Sequence, residues 1–247
     1  MIIRFLGQSG YVVKTDTTEI VIDPYLSDSV NRVANRPRLL PIPIRPADIC
    51  CDAVVCTHNH LDHLDPDTVG ELANQQLFIT TKEGKDALER MGKCNVSALN
   101  VGDAITVGDI EIIAVFADHM VESFGLIVKA DGKTLYFSGD TLYNEKLFEI
   151  EKYRPNVTFI CINGRLGNMN ATQAVKVAQK IGAPVNIPNH YDMFASNAED
   201  PHTFTDHING GFIMAFDSAY RFDDGGEMIK TTMNTSAKKE NDIKAVL

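Results

Sequence analysis

Four apolar segments of the chain each run directly into a histidine or an aspartate, and this recurrence constrains the fold more than any other feature. DAVVCT continues into the run His58-Asn59-His60-Leu61-Asp62-His63. IEIIAVFA leads to Asp118-His119, KTLYFSG leads to Asp140, and PVNIP leads to Asn189-His190. Because α/β folds usually place their sites where the ends of strands meet at one edge of a sheet, we expect these side chains to lie close together.

The gathered side chains are of the types that bind divalent metal ions, which need several ligands held by a rigid frame. In a tight loop, His58 and His60 can face one ion while Asp62 and His63 face another. Imidazole with a few carboxylates suits zinc, and also manganese or iron. A lone His-x-His pair is typically a polar loop, but the whole run after a buried strand predicts a metal site. A chain of 247 residues buries a substantial core without a metal, so this site is expected to be functional.

The chain alternates apolar runs with helical patterns, which is typical of an α/β layered fold. An Asp-Gly pair at 131–132 predicts a hairpin turn, and Gly108-Asp109 joins two further strands. A helix is predicted over 171–181, with Asn170 as its N-cap and Gly182 at its end. We predict one domain over residues 1–247, with a loosely held polar tail at about 233–247.

Composition and charge exclude several classes of function. The net charge is −10 and the pI is about 5.1, so the surface repels phosphate backbones and nucleic acid is not an expected partner. No apolar stretch is long enough to span a bilayer, and the opening MIIRFLGQSGYVV is not typical of a signal segment. The five cysteines are odd in number and irregularly spaced, unlike a disulfide framework. These features predict a protein of the reducing cytoplasm with no membrane partner.

Residues 29–46, SVNRVANRPRLLPIPIRP, are a positively charged stretch in this acidic chain and are called the arginine segment here. The segment has four arginines, four prolines and no acidic residue, and its prolines resist regular structure. A loop of this length in a compact domain is often functional. We expect Arg36 and Arg38 to bind the negative charge of a substrate. The alternative is that the arginines pair with acids of a neighbouring subunit in a homo-oligomer.

Three further residues that follow predicted strand ends are candidates for the reaction. Tyr191 and Asp192 can polarise a carbonyl or shuttle a proton. The alternative is that Asp192 bonds the loop backbone while Tyr191 packs. Arg165 can bind a substrate anion through two hydrogen bonds, or it can pair with a surface acid. His202 and His207 lie in a polar segment and are interpreted as surface histidines.

The histidine and aspartate run, followed by His119, Asp140 and His190 at strand ends, resembles the metallo-β-lactamase superfamily over about residues 1–217. The resemblance implies a four-layer αββα sandwich with a two-metal site at one edge of the sheets. It also implies the ligands, which are His58, His60 and His119 for one ion, Asp62, His63 and His190 for the other, and Asp140 as a bridge. Asp23 in IVIDPY matches the family's early aspartate, which braces the metal loop and is not a ligand.

Within that superfamily the chain is most similar to the L-ascorbate-6-phosphate lactonase-like branch, on the segments DPYLSD, INGRLGNMN and IPNHYDMFASNAEDP. The resemblance implies a hydrolase for a small, anionic ester, lactone or phosphoester. Two divalent ions, zinc first with manganese or iron as alternatives, would lower the pKa of a bridging water so that hydroxide attacks the substrate. Asp62 or Asp140 would accept the proton. The alternatives are a small-molecule phosphodiesterase, an iron oxidoreductase on the same fold, and a scaffold without catalysis.

Overall fold

The apolar runs of the chain form two β-sheets, which the computed structural model describes over residues 1–223 and 226–233. Strands are numbered along the chain. The first sheet contains β1 Ile2–Gly7, β2 Gly10–Lys14, β3 Glu19–Ile22, β4 Ala53–Val55, β5 Leu77–Thr80, β6 Val96–Ala98, β13 Ala219–Phe222 and β14 Met228–Thr231. The second sheet contains β7 Ala104–Val107, β8 Ile110–Val115, β9 Gly125–Ala130, β10 Lys133–Phe137, β11 Val157–Cys161 and β12 Val185–Asn189.

The strand order fixes which ends of the strands meet. The first sheet has the order β14-β13-β1-β2-β3-β4-β5-β6, and the second has the order β12-β11-β10-β9-β8-β7. Strands β3 to β6 are parallel, as are β10 to β12, and the other neighbouring pairs are antiparallel. Because β9 is antiparallel to both β8 and β10, the strands β8, β10 and β12 run in one direction and end at the same edge.

Helices cover the outer faces of both sheets. They are α1 Ser29–Ala34, a 3₁₀ helix Pro46–Asp48, α2 Pro66–Glu71, α3 Lys82–Arg90, a 3₁₀ helix Glu145–Tyr153, α4 Ala171–Ile181 and α5 His202–Thr205. Side chains of both sheets fill the space between them, including Ile22 and Leu126. The α2 and α3 side chains pack on the first sheet, and those of α4 pack on the second. This order of layers confirms the predicted αββα sandwich.

The structure confirms a helix and a hairpin turn that capping residues and an Asp-Gly pair in the sequence predict. Helix α4 has a complete capping box between Asn170 and Gln173, and it ends at Gly182, whose φ of 73° suits glycine. Asp131 and Gly132 join β9 to β10 with φ values of 51° and 69°, as a two-residue hairpin turn of this type requires.

The arginine segment is only partly irregular. Helix α1 occupies its first six residues, before the first proline at Pro37, so the expectation that prolines exclude regular structure is wrong for this part. The predicted loose tail at 233–247 lies outside the described residues apart from Met233. Within residues 1–223 and 226–233, no helix has the length and apolar character needed to cross a membrane.

Candidate metal centre

The predicted metal ligands lie in loops that leave the ends of four strands. The run from His58 to His63 follows β4 of the first sheet. His119, Asp140 and His190 follow β8, β10 and β12, the three strands of the second sheet that end at one edge. The site therefore draws on both sheets, and the direction of the strands explains why residues far apart in sequence come together.

Within the described part of the chain, three overlapping groups of ligand atoms lie within 4.8 Å of one another. The groups are His58, His60 and His119; His58, His63 and Asp140; and Asp62, His63 and His190. The first and third are the two ligand sets that the superfamily resemblance implies. In the second group, Asp140 lies with His58 of one set and His63 of the other, as a carboxylate that bridges two ions would. The assignment of these groups to particular ions stays a prediction.

Individual distances show how tightly the atoms converge. His60 Nδ1 lies 3.0 Å from His58 Nε2 and 3.2 Å from His119 Nε2. His190 Nε2 lies 3.3 Å from a carboxylate oxygen of Asp62 and 3.3 Å from one of Asp140. All seven predicted ligands thus lie in one compact cluster.

Asp23 braces the loop that bears the first four ligands. Its Oδ1 accepts a hydrogen bond from the Thr57 backbone N–H at 2.7 Å, and its Oδ2 accepts from Thr57 Oγ1 at 2.7 Å. Asp23 Oδ2 also lies 2.8 Å from His63 Nδ1. A carboxylate on one ring nitrogen fixes the imidazole so that the other nitrogen faces the site. This geometry agrees with the bracing role that the resemblance implies for Asp23.

A glycine close to the centre performs a similar orienting role for His119. The carbonyl of Gly167 lies 3.1 Å from His119 Nδ1, which directs His119 Nε2 toward the cluster. A Cβ at Gly167 would lie 2.8 Å from that same Nδ1 atom, and the residue has a φ of 87°. The INGRLGN segment therefore needs glycine here because the backbone must approach the imidazole closely.

Two atoms at the centre of the cluster are buried and have no hydrogen-bond partner among the described residues. They are His63 Nε2 and Asp140 Oδ1, which lie 3.3 Å apart without the geometry of a hydrogen bond. Buried polar atoms in proteins nearly always have a partner. Both of these atoms offer lone pairs, so a bound cation would satisfy them together. The residues present fit a divalent metal ion.

The charges of the cluster also favour a cation. Burial lowers the pKa of His58, and the neighbouring His63 lowers it further. Burial also lowers the pKa of His60. Burial opposes protonation of His63 and His190 too, but nearby carboxylates, with Asp140 foremost, outweigh it and raise the pKa of both histidines. The carboxylates that raise the pKa of these histidines would also attract a metal ion, which competes with protons for the imidazole nitrogens.

Sequence reasoning did not identify Gln8, which lies in the turn between β1 and β2. Its Nε2 is 2.7 Å from Asp62 Oδ2 and 3.0 Å from His190 Nε2. Its side chain is only 1% exposed, and its φ of 56° is unusual for a residue other than glycine. A polar residue between Gly7 and Ser9-Gly10, next to an apolar strand, was the only signal of this role.

Tyr191 and Asp192 lie beside the cluster. Asp192 Oδ1 accepts a hydrogen bond from the Gln8 backbone N–H at 2.9 Å, and burial raises the pKa of Asp192 to about 6. Tyr191 is 8% exposed and packs with the apolar residues beneath α4, including Phe204. Burial raises the pKa of Tyr191, and Asp192 raises it further. These contacts correspond to the packing and loop-bonding alternatives for the two residues.

The candidate arginines differ in what they contact. Arg38 donates hydrogen bonds to the carbonyl oxygens of Tyr25, Ser27, Leu40 and Pro41. Its guanidinium is also 4.6 Å from the centre of the Tyr25 ring. The four hydrogen bonds give Arg38 a structural role in the arginine segment, and its binding of a substrate stays a prediction.

Arg165 and Arg36 contrast with Arg38. Arg165 Nη1 donates to the Ser196 carbonyl oxygen at 2.6 Å and so links two loops, and no acid of the described residues pairs with it. Arg36 makes no hydrogen bond or ion pair within residues 1–223 and 226–233. His202 is exposed, with Asp206 as its neighbour at 3.3 Å, and His207 is also exposed. Neither histidine belongs to a ligand group of the described residues.

Two sheets packed face to face, with a histidine and aspartate cluster at their strand ends, define the class of metallo-β-lactamase-like proteins. The model of the beta-lactamase superfamily domain matches residues 18–191. A UPF0173 metal-dependent hydrolase of Methanospirillum hungatei is 30% identical over 85% of this chain and 91% of its own length. The chain therefore belongs to the beta-lactamase superfamily and, within it, to the UPF0173 metal-dependent hydrolases.

Solved structures show the same fold. A metallo hydrolase of the archaeon Ignicoccus hospitalis has a TM-score of 0.72 and 22% identity, covering 95% of this chain and 100% of its own. An isothiocyanate hydrolase from Delia radicum gut bacteria has a TM-score of 0.76 and 18% identity, covering 90% of this chain and 99% of its own. The protein is a metal-dependent hydrolase of the metallo-β-lactamase fold.

Proposed function

We propose that the chain hydrolyses a small anionic ester, lactone or phosphoester at a centre of two divalent metal ions. The observation that carries the proposal is the convergence of seven histidine and aspartate side chains into three overlapping groups. One group alone would suit a single ion. Three groups joined through His58, His63 and Asp140 supply enough ligand atoms for two ions that share a carboxylate. Zinc is the first choice for this donor set, with manganese and iron as alternatives.

The roles of the ligands follow from their contacts. When bound, two divalent ions supply Lewis acidity and lower the pKa of a water molecule to near neutrality. Asp140 holds a central position because its two carboxylate oxygens lie near His63, His119 and His190. Asp62 or Asp140 would take the proton of the attacking water. Asp23 and the Gly167 carbonyl keep the imidazoles oriented throughout.

The arginine segment supports an anionic substrate because it lies next to the centre. The Leu39 N–H donates to the Met193 carbonyl oxygen at 2.8 Å, and Arg38 pairs with Phe194 in an isolated β-bridge. Met193 and Phe194 belong to the loop that begins at His190. Leu61, from the ligand run, packs in the same apolar cluster as Phe194. These contacts attach the arginine segment to the loop that begins at His190, and they support the proposal that Arg36 of this segment binds a carboxylate or phosphate.

A metal-removal experiment combined with a substrate screen tests the proposal. Purified protein should contain two divalent ions per chain, and a chelator should abolish hydrolysis, which zinc, manganese or iron then restores. The screen compares lactones, phosphate monoesters and small phosphodiesters, and thereby tests the lactonase-like assignment against the phosphodiesterase alternative. Stripped protein that retains full activity would contradict the proposal, as would a preference for neutral substrates. His202→Ala serves as the matched histidine control that should behave as wild type.

A further inference from the structure

The side-chain amide of Gln8 lies among the atoms of the second metal position, defined as the group of Asp62, His63 and His190. Gln8 Nε2 is 2.7 Å from Asp62 Oδ2 and 3.0 Å from His190 Nε2, and those two atoms are 3.3 Å from each other. Two ligands bound at about 2.1 Å, with an angle of about 90–110° at the ion, lie about 3.0–3.4 Å apart. The end of the Gln8 side chain has this spacing from His190 Nε2, whereas its 2.7 Å contact with Asp62 is shorter and is a hydrogen bond.

The backbone around Gln8 holds the side chain in this place. The Gln8 N–H donates to Asp192 Oδ1 at 2.9 Å, and the Gln8 carbonyl accepts from the His190 N–H at 3.1 Å. Gln8 has a φ of 56°, a conformation that disfavours side chains and persists when surrounding contacts enforce it. The turn between β1 and β2 is thus bonded to the ligand loop at His190 and at Asp192. A buried amide fixed in this way is pre-positioned for a bound group.

The nitrogen of this amide cannot remain where it is when a cation is bound. An amide nitrogen donates protons and offers no lone pair, whereas the amide oxygen offers two. His190 Nε2 has a single lone pair, which accepts a proton from Gln8 or binds an ion, but not both. A rotation of 180° about the Gln8 Cγ–Cδ bond exchanges the nitrogen with the oxygen and moves no other group. None of the hydrogen bonds among the described residues uses Gln8 Oε1, so the rotation gives up only the contacts of Gln8 Nε2 with Asp62 and His190.

We propose that Gln8 Oε1 is a neutral oxygen ligand of the second metal position. The inference rests on the proposed two-metal centre and adds a ligand beyond the strand-end histidines and aspartates. It makes the two positions chemically different, because His58, His60 and His119 offer only imidazoles, whereas the second position gains an amide oxygen beside its carboxylate. An added hard oxygen donor shifts the preference of that position toward manganese and iron relative to zinc.

Metal titration of wild type, Gln8→Met and Gln8→Glu tests the inference, with a chromophoric chelator as competitor and bound ions counted per chain. Gln8→Met keeps the length of the side chain but removes its oxygen, and should weaken the second ion at least tenfold while the first ion stays bound. Gln8→Glu supplies a carboxylate oxygen and should bind the second ion at least as tightly as wild type. Gln76→Met is the matched control, because Gln76 donates to the Cys51 carbonyl at the opposite end of the strands.

A second readout reports the ligand shell directly. Cobalt-substituted Gln8→Met should show a changed visible absorption spectrum for the second ion, whereas Gln76→Met should match wild type. The inference is wrong if Gln8→Met binds two ions as tightly as wild type with an unchanged cobalt spectrum. If Gln8→Met does not fold, weaker binding of the second ion by Gln8→Glu overturns it, since a carboxylate that cannot ligate would only repel Asp62. Wild-type protein that binds a single ion would instead refute the two-metal centre, and the role of Gln8 with it.

Discussion

The histidine and aspartate cluster and the arginine segment lie side by side, yet the two regions use their polar groups differently. At the cluster, His63 Nε2 and Asp140 Oδ1 are buried without partners among the described residues. In the arginine segment, Arg32 pairs with Asp67 at 2.6 Å, Arg45 pairs with Asp48 at 2.7 Å, and four carbonyl oxygens surround Arg38. A high density of charge therefore does not by itself mark a binding site, because most arginines of this segment are already engaged by the protein.

Arg36 is the exception that connects the two regions. It is the one arginine of the segment for which the described residues supply no hydrogen bond or ion pair. Arg36 therefore keeps a positive charge and hydrogen-bond donors that the described residues do not use. Substitutions in each of the two regions test this difference.

The largest effect is expected for Asp140→Asn, which removes the charge shared by the ligand groups. Metal content should fall and activity should drop by about a thousandfold or more, corresponding to the loss of several kcal/mol of charge stabilisation that bound metal provides. The fold should survive because the apolar layers do not depend on the site. Metal analysis, circular dichroism and steady-state kinetics measure the three quantities. Two ions per chain with normal turnover would rule out the bridging role.

The second-largest effect is expected when a predicted ligand histidine is replaced, and the other histidines serve as controls. His58→Ala, His63→Ala, His119→Ala and His190→Ala should each weaken metal binding by about a hundredfold or more, since even residues that only support ligands contribute about 10–100-fold. His202→Ala and His207→Ala should leave metal affinity unchanged, because both side chains are exposed and belong to no ligand group. Competitive metal titration compares the six variants. An equal loss at His202 would mean that the ligand set is wrong.

These two expectations concern residues whose convergence the sequence predicted, for a physical reason. A strand that ends at a sheet edge delivers the next residues to that edge, so apolar runs followed by His119, Asp140 and His190 predicted their convergence. The sequence did not indicate the role of Gln8, because the groups that bond its turn lie more than 180 residues later in the chain. They are the His190 N–H and the Asp192 carboxylate. The sequence did not predict the partners of Arg38, because they are backbone carbonyl oxygens, which every residue has.

A smaller effect, on stability rather than chemistry, is expected for Arg38→Ala. The change leaves the carbonyls of Tyr25 and Ser27 without their charged donor, which should lower the free energy of unfolding by about 2–3 kcal/mol. For a chain of this length, that corresponds to a fall in Tm of roughly 4–12 °C. Arg45→Ala removes an exposed pair with Asp48 and should leave Tm unchanged. A raised KM without a change in Tm would instead favour direct substrate binding by Arg38.

The smallest effect is expected for Arg36→Ala. This variant tests whether the arginine segment takes part in substrate recognition. Arg36 is half-buried, and its guanidinium has no partner among the described residues. Its neighbour Arg38 pairs with Phe194, in the loop that begins at His190. A carboxylate or phosphate held there gains charge-assisted hydrogen bonds of about 1.5–3 kcal/mol each, which is about tenfold or more in binding. The KM for an anionic substrate should therefore rise about tenfold, while kcat changes little. The reason is that the lost interaction stabilises the bound substrate and the transition state equally.

A matched control and a neutral substrate distinguish recognition by Arg36 from a subunit contact. Arg32→Ala removes the same charge from the same segment, but Arg32 is engaged with Asp67, so the KM should not change. A neutral analogue of the substrate should react equally with wild type and Arg36→Ala, because it offers the guanidinium no charge. If the arginine contacted a neighbouring subunit instead, light scattering would show a change in mass and both substrates would be affected alike. Equal effects on the two substrates would thus remove Arg36 from the binding site and leave the histidine and aspartate cluster as the only part of this edge that engages the substrate.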